Sequence, residues 1–178
     1  MNFDEKEKVL LHSIARNAIS GQNPTDNLTA SLKNPTDNLT TECGVFVTLK
    51  KGGDLRGCIG FTQSDRPLYE EVAHAAELAA FHDYRFDRVS PEELDEIDIE
   101  ISVLSPMRLV KDVSQIELGQ HGILVVKGER SGLFLPQVAE ETGWSLDDFL
   151  GHCARDKAGI GWDGWKSAEI YVFTVTVL

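Results

Sequence analysis

Paired strand signals separated by glycine turns are what most constrain this chain. Val45-Phe46-Val47-Thr48-Leu49 is a β-branched and aromatic run, Lys50-Lys51-Gly52-Gly53-Asp54 supplies a turn, and Leu55–Gly60 runs back. Such residues suit a pleated surface, and two runs closed by a short glycine turn read as a hairpin. Gly122–Lys127 and Gly132–Leu135 repeat the pattern around Gly128-Glu129-Arg130-Ser131. Ile97, Ile99, Ile101 and Val103 alternate with Asp98, Glu100 and Ser102, the period-two signature of a strand with one buried face. Ala168–Leu178 reads as a closing strand with Tyr171, Phe173, Val175 and Val177 on one side.

Helices fall between these strands. Glu5 to about Ser20 is amphipathic and stops at Gly21. Pro67 opens a helix reaching about Phe81, whose stripe of Leu68, Val72, Ala75, Ala76 and Ala79 predicts close approach to a sheet. Pro91 starts a short helix, and Pro136 another through Glu141. Ser145 is the N-cap of a helix predicted to reach Ala158, with Asp148 three residues on and Trp144 and Phe149 at staple positions. Strands that come as hairpins rather than as βαβ units predict an α+β fold of antiparallel hairpins packed with helices. All 178 residues are read as a single domain, with residues 22–42 as a variable segment. Within it, Asn23–Thr29 and Asn34–Thr40 are the same heptapeptide, which reads as a local duplication with a short helix around Leu28–Lys33.

Composition narrows the function classes. With 17 basic and 29 acidic residues the net charge is −12, which argues against bulk binding to nucleic acid. No apolar run approaches the roughly 18–20 residues of a membrane span, and the start Met1-Asn2-Phe3-Asp4 lacks a secretory pattern. A cytoplasmic protein is expected. Cys43, Cys58 and Cys153 are odd in number and far apart, so neither a disulfide framework nor a zinc site is indicated. The five histidines form no metal-binding spacing, and no Walker, dinucleotide or serine-elbow motif is present, so no metal or cofactor is assigned.

The best candidate site is Leu55-Arg56-Gly57-Cys58-Ile59-Gly60. In an extended strand Arg56 and Cys58 are expected on one face, and positive charge beside a thiol favours the nucleophilic thiolate. Gly57 and Gly60 allow close approach of a ligand or another segment. The alternative is a packed cysteine beside structural glycines. Arg85, set among Phe81, Tyr84 and Phe86, needs a carboxylate from Asp83 or Glu100. It belongs either to an anion cradle with Arg56 or to an ion pair closing a helix onto the central strand. His152, Cys153 and Lys157 read as surface and core positions of one helix, since adjacent helical residues point apart. Trp162 and Trp165 read as wedges rather than a lid.

The hexapeptide Leu55–Gly60 after Val45–Leu49 resembles the AMMECR domain family. The resemblance continues through Phe81–Phe86, Glu100–Pro106, Gly132–Val138 and Lys157-Ala158-Gly159, and so covers nearly the whole chain. It implies an α+β fold with a larger and a smaller lobe, and association in prokaryotes with a Memo-like protein and a radical-SAM protein. It implies no reaction. Tyr84 stands where the family often has proline, and Ile160-Gly161-Trp162 replaces a leucine-proline continuation. Two functions follow as expectations. One is a substrate-handling or catalytic component of a modification system, acting on a small-molecule or macromolecular substrate in a cleft at Arg56 and Cys58. The other is a non-catalytic protein-interaction module.

Overall fold

The fold follows from the two faces of one strand. In β1, Val45–Lys51, the odd-numbered Val45, Val47 and Leu49 are buried while Phe46, Thr48 and Lys50 are partly exposed. The computed structural model describes residues 1–21 and 34–178. β1 pairs antiparallel with β2, Asp54–Phe61, on one side and with β3, Ile97–Leu104, on the other. The sheet order is β2-β1-β3-β8, where β8 is Val175–Val177, so among the described residues β2 is an edge strand. Its buried face packs on α1, Glu5–Ile19, and α3, Leu68–Phe81, in one apolar cluster. Leu11, Ile14 and Ala15 of α1 and Val72, Ala75 and Ala79 of α3 meet Val47, Leu49 and Ile101 there. Asp4 and Glu7 cap α1 reciprocally, each side chain accepting from the other's backbone N–H. The second heptapeptide copy uses this cap: Thr36 and Asn38 donate to Glu7, and α2, Asp37–Thr40, buries Leu39.

The chain divides into two compact units, Met1–Leu104 with Thr176–Leu178, and Ser105–Val175. The second holds a four-stranded antiparallel sheet of order β4-β7-β5-β6, formed by β4, Arg108–Val110, β5, Gly122–Lys127, β6, Arg130–Phe134, and β7, Glu169–Phe173. Ile123, Val125, Ile170 and Val172 pack with Phe149, Leu150 and Cys153. α4, Pro136–Thr142, ends at Gly143 in the left-handed conformation. α5, Leu146–His152, begins at the Ser145 cap and continues as a π-helical turn, with Ala158 N–H bonded to the Cys153 carbonyl. Trp144 and Phe149 both lie against the Phe134 ring.

Several expectations change. The closing segment is two strands, β7 and β8, because Thr174 leaves the ladder to exchange hydrogen bonds with Ser105. In β7, Ile170 and Val172 pack in the second unit's core, and Phe173, of the Tyr171 parity, is buried as well. β4 is a strand the alternation did not reveal, being only three residues long. Pro67 caps α3 rather than entering it. The helix expected around Leu28–Lys33 lies outside the described residues. Among the described residues no helix is long and apolar enough to cross a membrane.

Candidate functional site

The face of the first sheet away from the helices carries its polar side chains in rows set by register. Thr48 stands between Cys58 and Glu100, Phe46 between Gly60 and Ser102, and Lys50 between Leu55 and Asp98. The Thr48 hydroxyl donates to Cys58 Sγ at 3.3 Å, and Lys50 Nζ donates to Glu100 Oε2 at 2.8 Å. A thiol, a hydroxyl, an ammonium and a carboxylate therefore share one patch. Cys58 is partly exposed there, whereas Cys43 and Cys153 are buried. Burial pushes the Cys43 thiol up to about 11 and the Cys153 thiol up to about 12.

Arg56 does not join this patch. Gly57 lies opposite Leu49 while Leu55 lies opposite Lys50, which leaves Arg56 as the extra residue of a β-bulge. The bulge breaks the alternation that put Arg56 and Cys58 on one face. The Arg56 guanidinium instead makes a fork onto Glu93, Nε to Oε1 and Nη2 to Oε2, both 3.1 Å. It also donates to the carbonyls of Asp87 and Arg88, and its side chain is 16% exposed. Lys51 adds a second cation to Glu93. Arg56 first, and then backbone and Lys51 donors, hold the Glu93 carboxyl at about 2. One bulged residue interrupts the alternation on which the same-wall expectation for Arg56 and Cys58 rests.

Arg85 comes closer to the cysteine. Cys58 directs its N–H and carbonyl outward from the free edge of β2, where an unpaired strand needs partners. Asp83 Oδ2 accepts the Cys58 N–H at 2.9 Å, and Arg85 Nη2 donates to the Cys58 carbonyl at 3.0 Å. Asp83 and Arg85 are joined through Nε to Oδ1 at 2.9 Å and Nη2 to Oδ2 at 2.7 Å. This two-residue clasp stands in for a neighbouring strand. Arg85 hydrogen bonding, with help from the Cys58 and Arg85 N–H groups, holds Asp83 well below the usual carboxylate range despite its burial. Glu100, the other carboxylate considered for Arg85, is paired with Lys50, and the strand being closed is the sheet's edge, not its centre.

The space beside each glycine of the motif is filled by this chain. A Cβ on Gly57 would sit 2.2 Å from the Ala79 carbonyl oxygen of α3. A Cβ on Gly60 would sit 2.3 Å from the Val45 carbonyl oxygen and 2.5 Å from Phe46. Their close approach is internal packing. Thr48 and Lys50 were not singled out from the sequence, though the alternation of Phe46, Thr48 and Lys50 with Val45, Val47 and Leu49 was the signal available. In the second unit, His152 is stacked on Trp144 at 3.8 Å and hydrogen-bonded to Asp156, while Cys153 donates to the Gly132 carbonyl. These two neighbours, at the end of α5 and the start of its π-helical turn, do point apart. Trp162 lies where a Gly151 side chain would be, and Trp165 packs on the core.

An α+β chain of two antiparallel sheets, with a cysteine thiol on the polar face of one and that cysteine's backbone clasped at the sheet edge, is the class these features define. The family model AMMECR1 matches residues 12–178, and the chain belongs to that family. Protein MK0488 of Methanopyrus kandleri is 49% identical over 145 residues, covering 75% of this chain and 70% of that one. Protein TK0174 of Thermococcus kodakarensis is 43% identical over 146 residues, covering 75% and 71%. The crystal structure of the uncharacterized protein PH0010 from Pyrococcus horikoshii is similar with a TM-score of 0.74 at 35% identity, over 98% of this chain and 91% of that one.

Proposed function

We propose that this protein takes an electrophilic reactant on Cys58, as the substrate-handling or catalytic component of a cytoplasmic modification system with Memo-like and radical-SAM partners. The observation that carries the reading is the patch around Sγ: the sulfur accepts a hydrogen bond from Thr48 and belongs to a partly exposed residue clasped at both backbone groups. A sulfur so held is oriented before a reactant arrives, which removes ordering cost from the reactive geometry. In the step, the thiolate attacks an electrophilic carbon, the C–S bond forms, and the bond to the leaving group breaks with its electron pair. The thiol proton has by then gone to solvent. Arg56 serves the strand through Glu93 and has no direct part.

Limited alkylation of the folded protein with iodoacetamide, followed by peptide mapping, tests this. Cys58 is expected to label first, with Cys43 and Cys153 labelled only on unfolding. Labelling of Cys58 no faster than the two buried cysteines removes the reading. Co-expression with a Memo-like and a radical-SAM protein should yield co-purification and an added mass on Cys58 that Cys58→Ser abolishes.

A second reading, the interaction module, has its own observation. Tyr84 is 94% exposed on the clasp between Asp83 and Arg85, and Leu55 is 45% exposed on the same strand as Cys58. An aromatic held out on a fixed loop suits an interface anchor. An inert thiol together with loss of the radical-SAM protein from Tyr84→Ser would favour this reading.

A further inference from the structure

We infer that Arg85 is the anion-recognising group of the Cys58 site, so that the reactant is an electrophile carrying a carboxylate or phosphate; this rests on the thiol reading above. Four cations lie near the motif, and their partners rank them; Lys51 shares Glu93 with Arg56. Arg56 is 16% exposed and spends its guanidinium on Glu93 and two carbonyls. Lys50 and Glu100 are equally exposed, 38% each, so their pair presents no preferred sign to solvent. Arg85 differs: its side chain is 45% exposed, while its partner Asp83 is 1% exposed.

The Asp83–Arg85 pair is thus an oriented dipole with its positive end outward. Both Asp83 oxygens are engaged inward by the Cys58 and Arg85 groups. On Arg85, Nε and Nη2 make the internal hydrogen bonds, and Nη1 makes none among the described residues. A planar guanidinium with donors still facing water is suited to a carboxylate or phosphate. Its position relative to the thiol is fixed, because Nη2 holds the Cys58 carbonyl and Sγ lies only a side chain's length from that oxygen. The clasp that satisfies the strand edge also places a cation next to the nucleophile. In a chain of net charge −12, an anionic reactant gains most from such a local positive end.

Iodoacetate and iodoacetamide test this, since both react by displacement of iodide by sulfur and differ in charge. Rates at Cys58 are measured by peptide mapping in phosphate-free buffer, with glutathione as the reference thiol. The iodoacetate-to-iodoacetamide rate ratio at Cys58 is expected to exceed that of glutathione by about threefold, the size of one partly exposed charge interaction. Arg85→Gln should lower the iodoacetate rate selectively, Arg85→Lys should retain most of the preference, and Lys50→Gln should change it less. Raising ionic strength from about 0.05 to about 0.5 M should remove most of it. A structural effect of Arg85→Gln alone would move both reagents together. A ratio equal to that of glutathione, or one unchanged in Arg85→Gln, overturns the inference while iodoacetamide labelling leaves the thiol reading standing. Failure of Cys58 to react with either reagent overturns both.

Discussion

Replacing Asp83 with alanine should unclasp the edge of the first sheet. The carboxylate is 1% exposed, and its loss leaves the Cys58 N–H with no acceptor at the free edge of β2. A fully buried donor left unsatisfied costs about 1–3 kcal/mol, an upper range for this part-buried edge N–H. Arg85 also loses two guanidinium bonds and one from its backbone N–H, but at 45% exposure its guanidinium can rehydrate, so the larger penalty of a stranded buried charge does not apply. The expected loss is about 2 kcal/mol, or a fall of about 1 M in urea midpoint for a slope of about 2 kcal/mol/M. Asp83→Asn keeps an acceptor for the Cys58 N–H but not the charge, and should fall between alanine and wild type. All three tryptophans, Trp144, Trp162 and Trp165, lie in the second unit, so their fluorescence reports the wrong half. Far-UV circular dichroism in urea, with amide exchange at Cys58 and Ile59, reads the right one. Exchange at these amides should accelerate in Asp83→Ala. A midpoint within error of that for Asp95→Ala, an exposed control, with Cys58 exchange unchanged, would refute the edge-clasp account.

Acid should weaken the same region. Asp83 and Glu93 have folded-state values depressed below their unfolded ones, so their stabilisation is complete above about pH 5 and drains away as pH falls through the folded values. Stability measured from pH 6 down to 2 should fall less steeply in Asp83→Asn than in wild type. Gly57→Ala should cost about 1–3 kcal/mol, because the atom 2.2 Å from the new methyl is Ala79 backbone rather than a side chain that can turn away; urea unfolding checks it. Thr48→Val removes the donor to Cys58 Sγ at nearly constant volume and should slow iodoacetamide labelling at neutral pH by about three- to tenfold, the worth of one hydrogen bond.

Much of the fold was readable because its main elements carry strong periodic signals. The alternation in Ile97–Val103 and the paired runs around Gly52-Gly53 and Gly128 needed only local reasoning, and β1, β2, β3, β5 and β6 stand where those signals are. The alanine stripe of α3 also spoke for itself: Ala75, Ala76 and Ala79 are buried, and Gly57 meets the backbone at Ala79. What stayed hidden depends on contacts distant in sequence. Nothing local in Ala168–Leu178 says that Thr174 will pair with Ser105 and divide one strand into two. Nor does Arg108–Val110 carry enough residues for alternation to register.

The site shows the same limit at single-residue scale. Cys58 and Arg85 were legible as chemistry: one is a thiol in a glycine-flanked strand, the other an arginine that had to find a carboxylate. Which cation stands beside the thiol was not, because the answer turns on register. Had β2 run without a bulge, the period of two would have kept Arg56 on the Cys58 face. One extra residue against Leu49 and Lys50 removes it, and Glu93 then captures it with a two-point fork. The edge position of β2 decides the rest. A central strand would have satisfied Cys58 through a neighbouring backbone, with no need of side chains. At an edge, the outward N–H and carbonyl must be met by something else, and here a carboxylate and a guanidinium from Asp83-Tyr84-Arg85 meet them. The guanidinium placed on the Cys58 carbonyl is therefore a consequence of sheet order, and a partner strand added at that edge would have to displace Arg85 before it could pair with Cys58.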